Sequence, residues 1–172
     1  SLSYQKNELP IAAVVIDHSE SMGITDADGD RKAIVRTLLS GETLKTVEKN
    51  SQVEFFQFAD ALEPLERNRL DSLTFNGSAT DLASSLETLK KKMIGRNFAS
   101  VILLTDGQYN LGMNPASYAA AFSIPVFAVG IGNAVEQKDV AISQINNNEI
   151  AYVNSNIAVD VSIMAFGYKG KR

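Results

Sequence analysis

A chain of 172 residues, 45% hydrophobic and 21% charged, has the size and composition of one folded domain with room for part of a second. Its net charge of −4 argues against nucleic acid or an anionic membrane surface as a partner. There is no cysteine, which removes disulfide and thiolate chemistry but leaves the compartment open.

No apolar run reaches the ~18 residues that span a bilayer, and the most hydrophobic stretch, Ala119 to Ile131, is broken by Pro125. No membrane contact is therefore expected within this segment. Ser1 begins mid-sequence, with neither initiator Met nor signal peptide, so the chain reads as a piece of something longer. Of the two cationic clusters, Lys90-Lys91-Lys92 falls in an expected helix and reads as a solvated face; the other is the tail Lys169 to Arg172.

Strands and helices alternate from the start, which favours an α/β fold with a parallel sheet between helices. The first strand is the apolar run from Ile11 to Asp17. Asp30 is placed to cap a helix from Arg31, with Ile34, Leu38 and Leu39 towards the core. Ser40-Gly41 interrupts that helix, and a shorter one resumes to about Lys49. Val53 to Phe58 is the second strand, and Ala61 to Glu66, with Pro64 inside it, suits only an edge. From Thr80 to Met93, Leu82, Leu86, Leu89 and Met93 form one helical stripe. Ala99 to Thr105 is another strand, Asn114-Pro115 opens a helix with Asn at the cap, and Pro125 to Gly130 is the fifth strand.

After Gly132 the pattern changes. Val140, Ile142 and Ile145 fit a strand, and Ile157, Val159, Val161, Ile163 and Ala165 fall on one face of another. A two-stranded element is marginal alone and its open edge recruits another chain. The expectation is that this element either folds back or forms a strand-mediated dimer through residues 135–172.

The chemistry is concentrated at strand ends. Asp17-His18-Ser19-Glu20-Ser21 closes the first strand, and alternation is expected to aim Asp17, Ser19 and Ser21 one way and His18 and Glu20 the other. One carboxylate and two hydroxyls are hard oxygen donors, suited to Mg²⁺, Mn²⁺ or Ca²⁺ and not to zinc or copper. Thr80 adds a hydroxyl at a helix start, and Asp106-Gly107 follows the Ala99–Thr105 strand. In open parallel sheets, ligands bind beyond the carboxyl ends of the strands where strand order reverses. Asp106 ends a strand at the rim and fills no core, so its removal is expected to cost less than ~1 kcal/mol of stability.

Asp-x-Ser-x-Ser, then Thr, then Asp-Gly after an apolar strand resembles the von Willebrand factor A (VWA) domain family with its metal-ion-dependent adhesion site. The resemblance covers about residues 8 to 133 and rests on Asp17, Ser19, Ser21, Thr80 and Asp106. It implies a three-layer, doubly wound, mostly parallel Rossmann-like sheet with one short antiparallel edge strand, followed by a C-terminal β-hairpin-like extension. Residues 1–133 would then be the VWA domain, and 134–172 the first strands of a truncated β-sandwich that follows it in some bacterial membrane-anchored proteins. The further helix, sixth strand and C-terminal helix with which family members usually continue are not visible.

The resemblance further implies that Ser19, Ser21 and Thr80 contact Mg²⁺ (Mn²⁺ or Ca²⁺ in its place), while Asp17 and Asp106 act largely through water. Few carboxylates on the ion leave it electrophilic, and an Asp or Glu from a protein ligand completes the shell. The expected function is a non-enzymatic, metal-dependent interaction module in the extracytoplasmic, periplasmic part of a membrane-anchored bacterial protein. Two alternatives are an accessory subunit coupled to an ATPase or chelatase, and a metal-dependent hydrolase.

Other motifs give way to simpler readings. Asp26-Ala27-Asp28-Gly29-Asp30 lacks the Gly and Glu that an EF-hand needs at its sixth and twelfth positions, where Arg31 and Thr37 stand, and reads as a helix-entry loop. Gly130-Ile131-Gly132 lacks the third glycine of a dinucleotide fingerprint, Val135 standing there. His18, the single histidine, reads as a partly exposed rim residue outside any Ser-His-Asp triad. No Gly-x-Ser-x-Gly elbow occurs, and Ser19 stands where a phosphatase reading of Asp17 needs a second Asp. The sequon Asn76-Gly77-Ser78 abuts the metal loop and is taken as chance.

Overall fold

β1 (Ile11–Asp17) is buried along its whole length, the consequence of an almost purely aliphatic run with a neighbouring strand on each side. The computed structural model describes residues 8–133, 139–147 and 159–166. After β1 come a 3₁₀ turn over Glu20–Gly23 and a two-rung antiparallel ladder of β2 (Thr25–Asp26) and β3 (Gly29–Asp30). Asp28 N–H donates to Asp26 Oδ1 across this tight loop, and Asp30 Oδ1 accepts from Lys32 N–H at the start of α1 (Arg31–Ser40). The Asp-rich stretch is thus a helix-entry loop.

α1 gives way at Gly41 to α2 (Glu42–Asn50), then β4 (Gln52–Phe58) and β5 (Leu62–Leu65). After a 3₁₀ turn over Arg67–Ser72 follow α3 (Leu82–Met93), β6 (Phe98–Thr105), α4 (Pro115–Ala120) and β7 (Val126–Gly130). α4 opens with Asn114 Oδ1 accepting from Ala116 N–H and Pro115 in its first turn.

The five-stranded sheet has the order β5-β4-β1-β6-β7, parallel throughout except for β5. β5 is an antiparallel edge that pairs Pro64 with Phe56, a position tolerable only where no further strand asks for the missing N–H. One face of the sheet carries Val14, Ile16, Phe55 and Leu104 against Val35 and Leu39 of α1 and Leu44 of α2. The other carries Ala13, Val15, Phe56 and Leu103 against Leu82, Leu86 and Leu89 of α3, with Met93 and Tyr118 partly buried beside them. Fully burying a side chain such as Leu86 or Leu89 stabilises by about 1.5–3 kcal/mol, so these two stripes fix the helices to the sheet.

The phase of α1 differs from expectation. Val35 and Leu39 are the buried apolar residues, while Ile34 and Leu38 are only partly buried. Four aliphatics at 34, 35, 38 and 39 satisfy two adjacent helical phases, and packing selects between them.

The chain divides into two compact units, Ser1–Asn133 and Ala134–Arg172. In the second, β8 (Asp139–Asn147) and β9 (Val159–Phe166) pair antiparallel, with a register shift between Ile142 and Gln144. The shift matters because residues three apart on a regular strand face opposite ways. It sets Ile142 opposite Ile163 and Ile145 opposite Val161, so one face of the pair gathers apolar residues that are exposed. Ile157 and the tail Lys169 to Arg172 lie outside the described residues. Among the described residues no helix is long and apolar enough to cross a membrane.

Candidate metal-binding site

The sheet changes direction between β1 and β6: β1 is followed in sequence by α1, α2 and β4 on one side, and the chain later crosses to β6 on the other. Beyond the carboxyl ends of these two central strands lies the crevice that such a topology leaves open. Asp17 is the last residue of β1 and Asp106 follows the last residue of β6.

Asp17 is fully buried and accepts three hydrogen bonds. Its Oδ1 takes Ser19 N–H at 3.0 Å and Ser19 Oγ–H at 2.6 Å, and its Oδ2 takes Thr105 Oγ1–H at 2.7 Å. The Ser19 and Ser21 hydroxyl oxygens lie 3.0 Å apart. This convergence does not come from strand alternation. β1 ends at Asp17, and a 3₁₀ turn closed by Met22 N–H on Ser19 O brings Ser21 back over Ser19.

The Thr80 loop is fastened beside it. Ser19 forms an isolated parallel bridge with Gly77, with Glu20 N–H donating to Gly77 O and Gly77 N–H to His18 O. Thr80 N–H donates to Asn110 Oδ1 at 2.7 Å, and Thr80 O accepts from Asn110 and Leu111 N–H. Thr80 is thereby held through its backbone. Ser19, Ser21 and Thr80 line one open cleft of about 470 Å³ with Glu20, Ile24, Gly77, Ser78, Gln108, Tyr109 and Asn110. Asp17, bonded to the Ser19 hydroxyl, and Asp106, paired with Arg31, are not among the lining residues. His18 is partly buried, as a rim residue should be, and the Ser19 hydroxyl is bonded to Asp17 and Ser21.

Asp106 corrects one expectation. Its side chain is only 2% exposed, and its Oδ2 accepts from Arg31 Nη1 at 2.8 Å in a buried ion pair, so it is built into the interior and not perched on the rim. Its Oδ1 accepts from Gln108 N–H at 3.0 Å. Arg31 also donates from Nη1 to Ser21 O at 2.9 Å and from Nε to Asp26 Oδ2 at 2.7 Å. Asp26 Oδ2 takes Asn133 N–H as well, at 3.1 Å. Sequence reasoning missed Arg31, Asp26, Thr105 and Asn110. For Arg31 there was a signal: a cation in the first turn of a helix opposes the macrodipole and calls for carboxylates nearby.

Burial pushes the Asp17 carboxyl above the usual carboxylate range, against the three hydrogen bonds that pull it down and with a smaller push from the negative charge of Asp106. Asp26 moves the other way, held below the ordinary range chiefly by its hydrogen bond from Arg31 and then by Asn133 N–H. By formal charge, Asp17, Asp26, Asp106 and Arg31 sum to two negative charges, equal and opposite to one divalent cation.

The donor set fits a hard divalent ion: hydroxyls of Ser19, Ser21 and Thr80 on one cleft with a carboxylate directly beneath, and no nitrogen or sulfur donor among them. Among the described residues no group of three or more His, Cys, Asp or Glu gathers as a metal cluster, so a metal held here would depend on the hydroxyls.

Residues 13–164 match the family model of the von Willebrand factor type A domain. The chain belongs to this family. As a VWA domain it shares its fold with an aerotolerance-related membrane protein from Bacteroides fragilis, at 19% identity and a TM-score of 0.60, over 88% of this chain and 81% of that one. BatB from Bacteroides thetaiotaomicron is similar at 17% identity and a TM-score of 0.59, over 88% and 80%. Proximal thread matrix protein 1 from the mussel byssus is similar at 21% identity and a TM-score of 0.53, over 72% of this chain and 38% of that one. No curated protein gives a significant match. VWA domains are generally protein-interaction modules.

Proposed function

We propose that this VWA domain is a metal-dependent protein-binding module. Ser19, Ser21 and Thr80 hold a Mg²⁺-type ion, with Mn²⁺ or Ca²⁺ as substitutes, and Asp17 and Asp106 act from behind them. The bound ion supplies a Lewis-acidic position that a partner's Asp or Glu occupies. The observation that carries the reading is the Ser19–Ser21 hydroxyl pair, 3.0 Å apart above the buried Asp17 carboxylate and open to the cleft. Ile24 and Tyr109 line that cleft and are exposed, as are Leu111 and Met113 on the same loop, an apolar rim suited to a protein ligand.

We read the module as non-enzymatic, a reading supported by the engagement of the Ser19 hydroxyl with both Asp17 and Ser21. The location we assign is the extracytoplasmic side of a membrane-anchored bacterial protein, which the membrane protein among its structural relatives supports.

Thermal melts in MnCl₂ and in EDTA, each with and without acetate, test this. Mn²⁺ should raise the melting temperature, and acetate should raise it further only when Mn²⁺ is present. A melting temperature indifferent to Mn²⁺ refutes the metal reading.

A further inference from the structure

Arg31 is a buried cation in a place that disfavours one. It is the first residue of α1, where the free N–H groups of the helix already present partial positive charge, and its side chain is 3% exposed. Four segments meet on its guanidinium. Ser21 O receives one hydrogen bond and Asp106 Oδ2 another, both from Nη1, while Asp26 Oδ2 takes the bond from Nε. The fourth is Gly132, whose backbone lies close against the group: a Cβ there would sit 2.4 Å from Nε and 2.6 Å from Cζ. Gly132 also has φ +98°, which side-chain-bearing residues rarely adopt.

This arrangement constrains the Asp106 carboxylate. Both of its oxygens are engaged, Oδ2 by Arg31 and Oδ1 by Gln108 N–H. A charge-assisted bond to a guanidinium is directional and roughly twice as strong as a neutral one, so it fixes the carboxylate plane.

We propose that Arg31 is a positioning residue that keeps the Asp106 carboxylate out of direct coordination. Asp106 is thereby restricted to acting on the ion through water, and a position stays open for the partner's carboxylate. The inference rests on the metal reading above and adds how this chain keeps its site receptive. Arg31 also ties Ser21 to Asp26, so the serine loop and the Asp106 loop share one anchor.

The test uses the whole chain as wild type, Arg31→Lys and Arg31→Gln. Mn²⁺ is titrated by calorimetry, the water molecules on bound Mn²⁺ are counted by proton relaxation, and acetate is then titrated into the Mn²⁺-loaded proteins. Both variants should bind Mn²⁺ at least as tightly as wild type. Each should carry about one water fewer on the ion, because the released carboxylate takes its place. Acetate affinity should fall about tenfold, some 1.4 kcal/mol. Arg31→Lys keeps the positive charge, so a change shared by both variants reports the fork geometry and not the charge alone. Unchanged water number and acetate affinity in the variants, with Mn²⁺ bound in wild type, overturn the role of Arg31 alone. A wild type that takes up no Mn²⁺ overturns the metal reading and this inference together. Loss of the fold in both variants makes Arg31 structural and overturns the positioning role.

Discussion

Thr105 donates its hydroxyl to Asp17 Oδ2 over 2.7 Å, joining residues 88 positions apart at the neighbouring ends of β1 and β6. Thr105 Oγ1 in turn accepts Gly107 N–H at 3.0 Å, so one threonine fastens the buried carboxylate and the turn that carries Asp106. Thr105→Val keeps the shape and removes both bonds. It should cost about 1–3 kcal/mol in urea unfolding and weaken Mn²⁺ binding. Mn²⁺ affinity equal to wild type would show that Thr105 only packs.

Asp106→Ala should be far more damaging than its position at a strand end suggests. It breaks a buried ion pair and leaves Arg31 with Asp26 as its remaining carboxylate partner. We expect a loss on the order of 3 kcal/mol in metal-free buffer, the lower end for such pairs because Asp26 still offsets the charge. A loss below ~1 kcal/mol, typical of surface substitutions, contradicts the buried-pair description.

Asp26 gives the pH dependence. Arg31 and Asn133 N–H hold its carboxyl below the ordinary value, so the folded state binds this proton less readily than the unfolded one. The stability it contributes is therefore present above the unfolded value and is lost as pH falls through the depressed folded value. Asp26→Asn should be less stable than wild type at neutral pH, and the difference should shrink as the buffer is acidified through that window. A difference that does not change with pH would mean the carboxylate is not linked to folding.

The alternation, the edge strand with Pro64 and the placement of Asp17 and Asp106 at the ends of neighbouring strands were legible in the sequence, because each follows from a local pattern: an apolar run, a proline, an oxygen donor after a strand. What it concealed was long-range or geometric. Nothing near Asp106 announces a partner 75 residues away in Arg31. The approach of Ser21 to Ser19 depends on a 3₁₀ turn that the motif does not encode as a period. Ile142 and Ile145 look out of phase for one strand face until the register shift between them is seen.

The exposed apolar face of β8 and β9 makes a prediction about assembly. Residues 134–172 form their own compact unit, and an exposed two-stranded pair with Ile142, Ile145, Val161 and Ile163 on its surface invites self-association. A protein ending at Asn133, which retains the N–H bound to Asp26, should stay folded, bind Mn²⁺ as the full chain does and elute as a smaller species in size-exclusion chromatography. If it unfolds, residues 134–172 belong to the first domain; if the full chain is equally monomeric, the strand-mediated dimer is refuted.

The central claim is that an ion sits on the Ser19, Ser21 and Thr80 hydroxyls over Asp17, and calorimetric titration of Mn²⁺ into wild type and Asp17→Ala tests it most directly. The account predicts saturable binding to wild type, enhanced by acetate, and its loss in the variant while far-UV circular dichroism shows the fold retained. Equal Mn²⁺ binding by both proteins would contradict it.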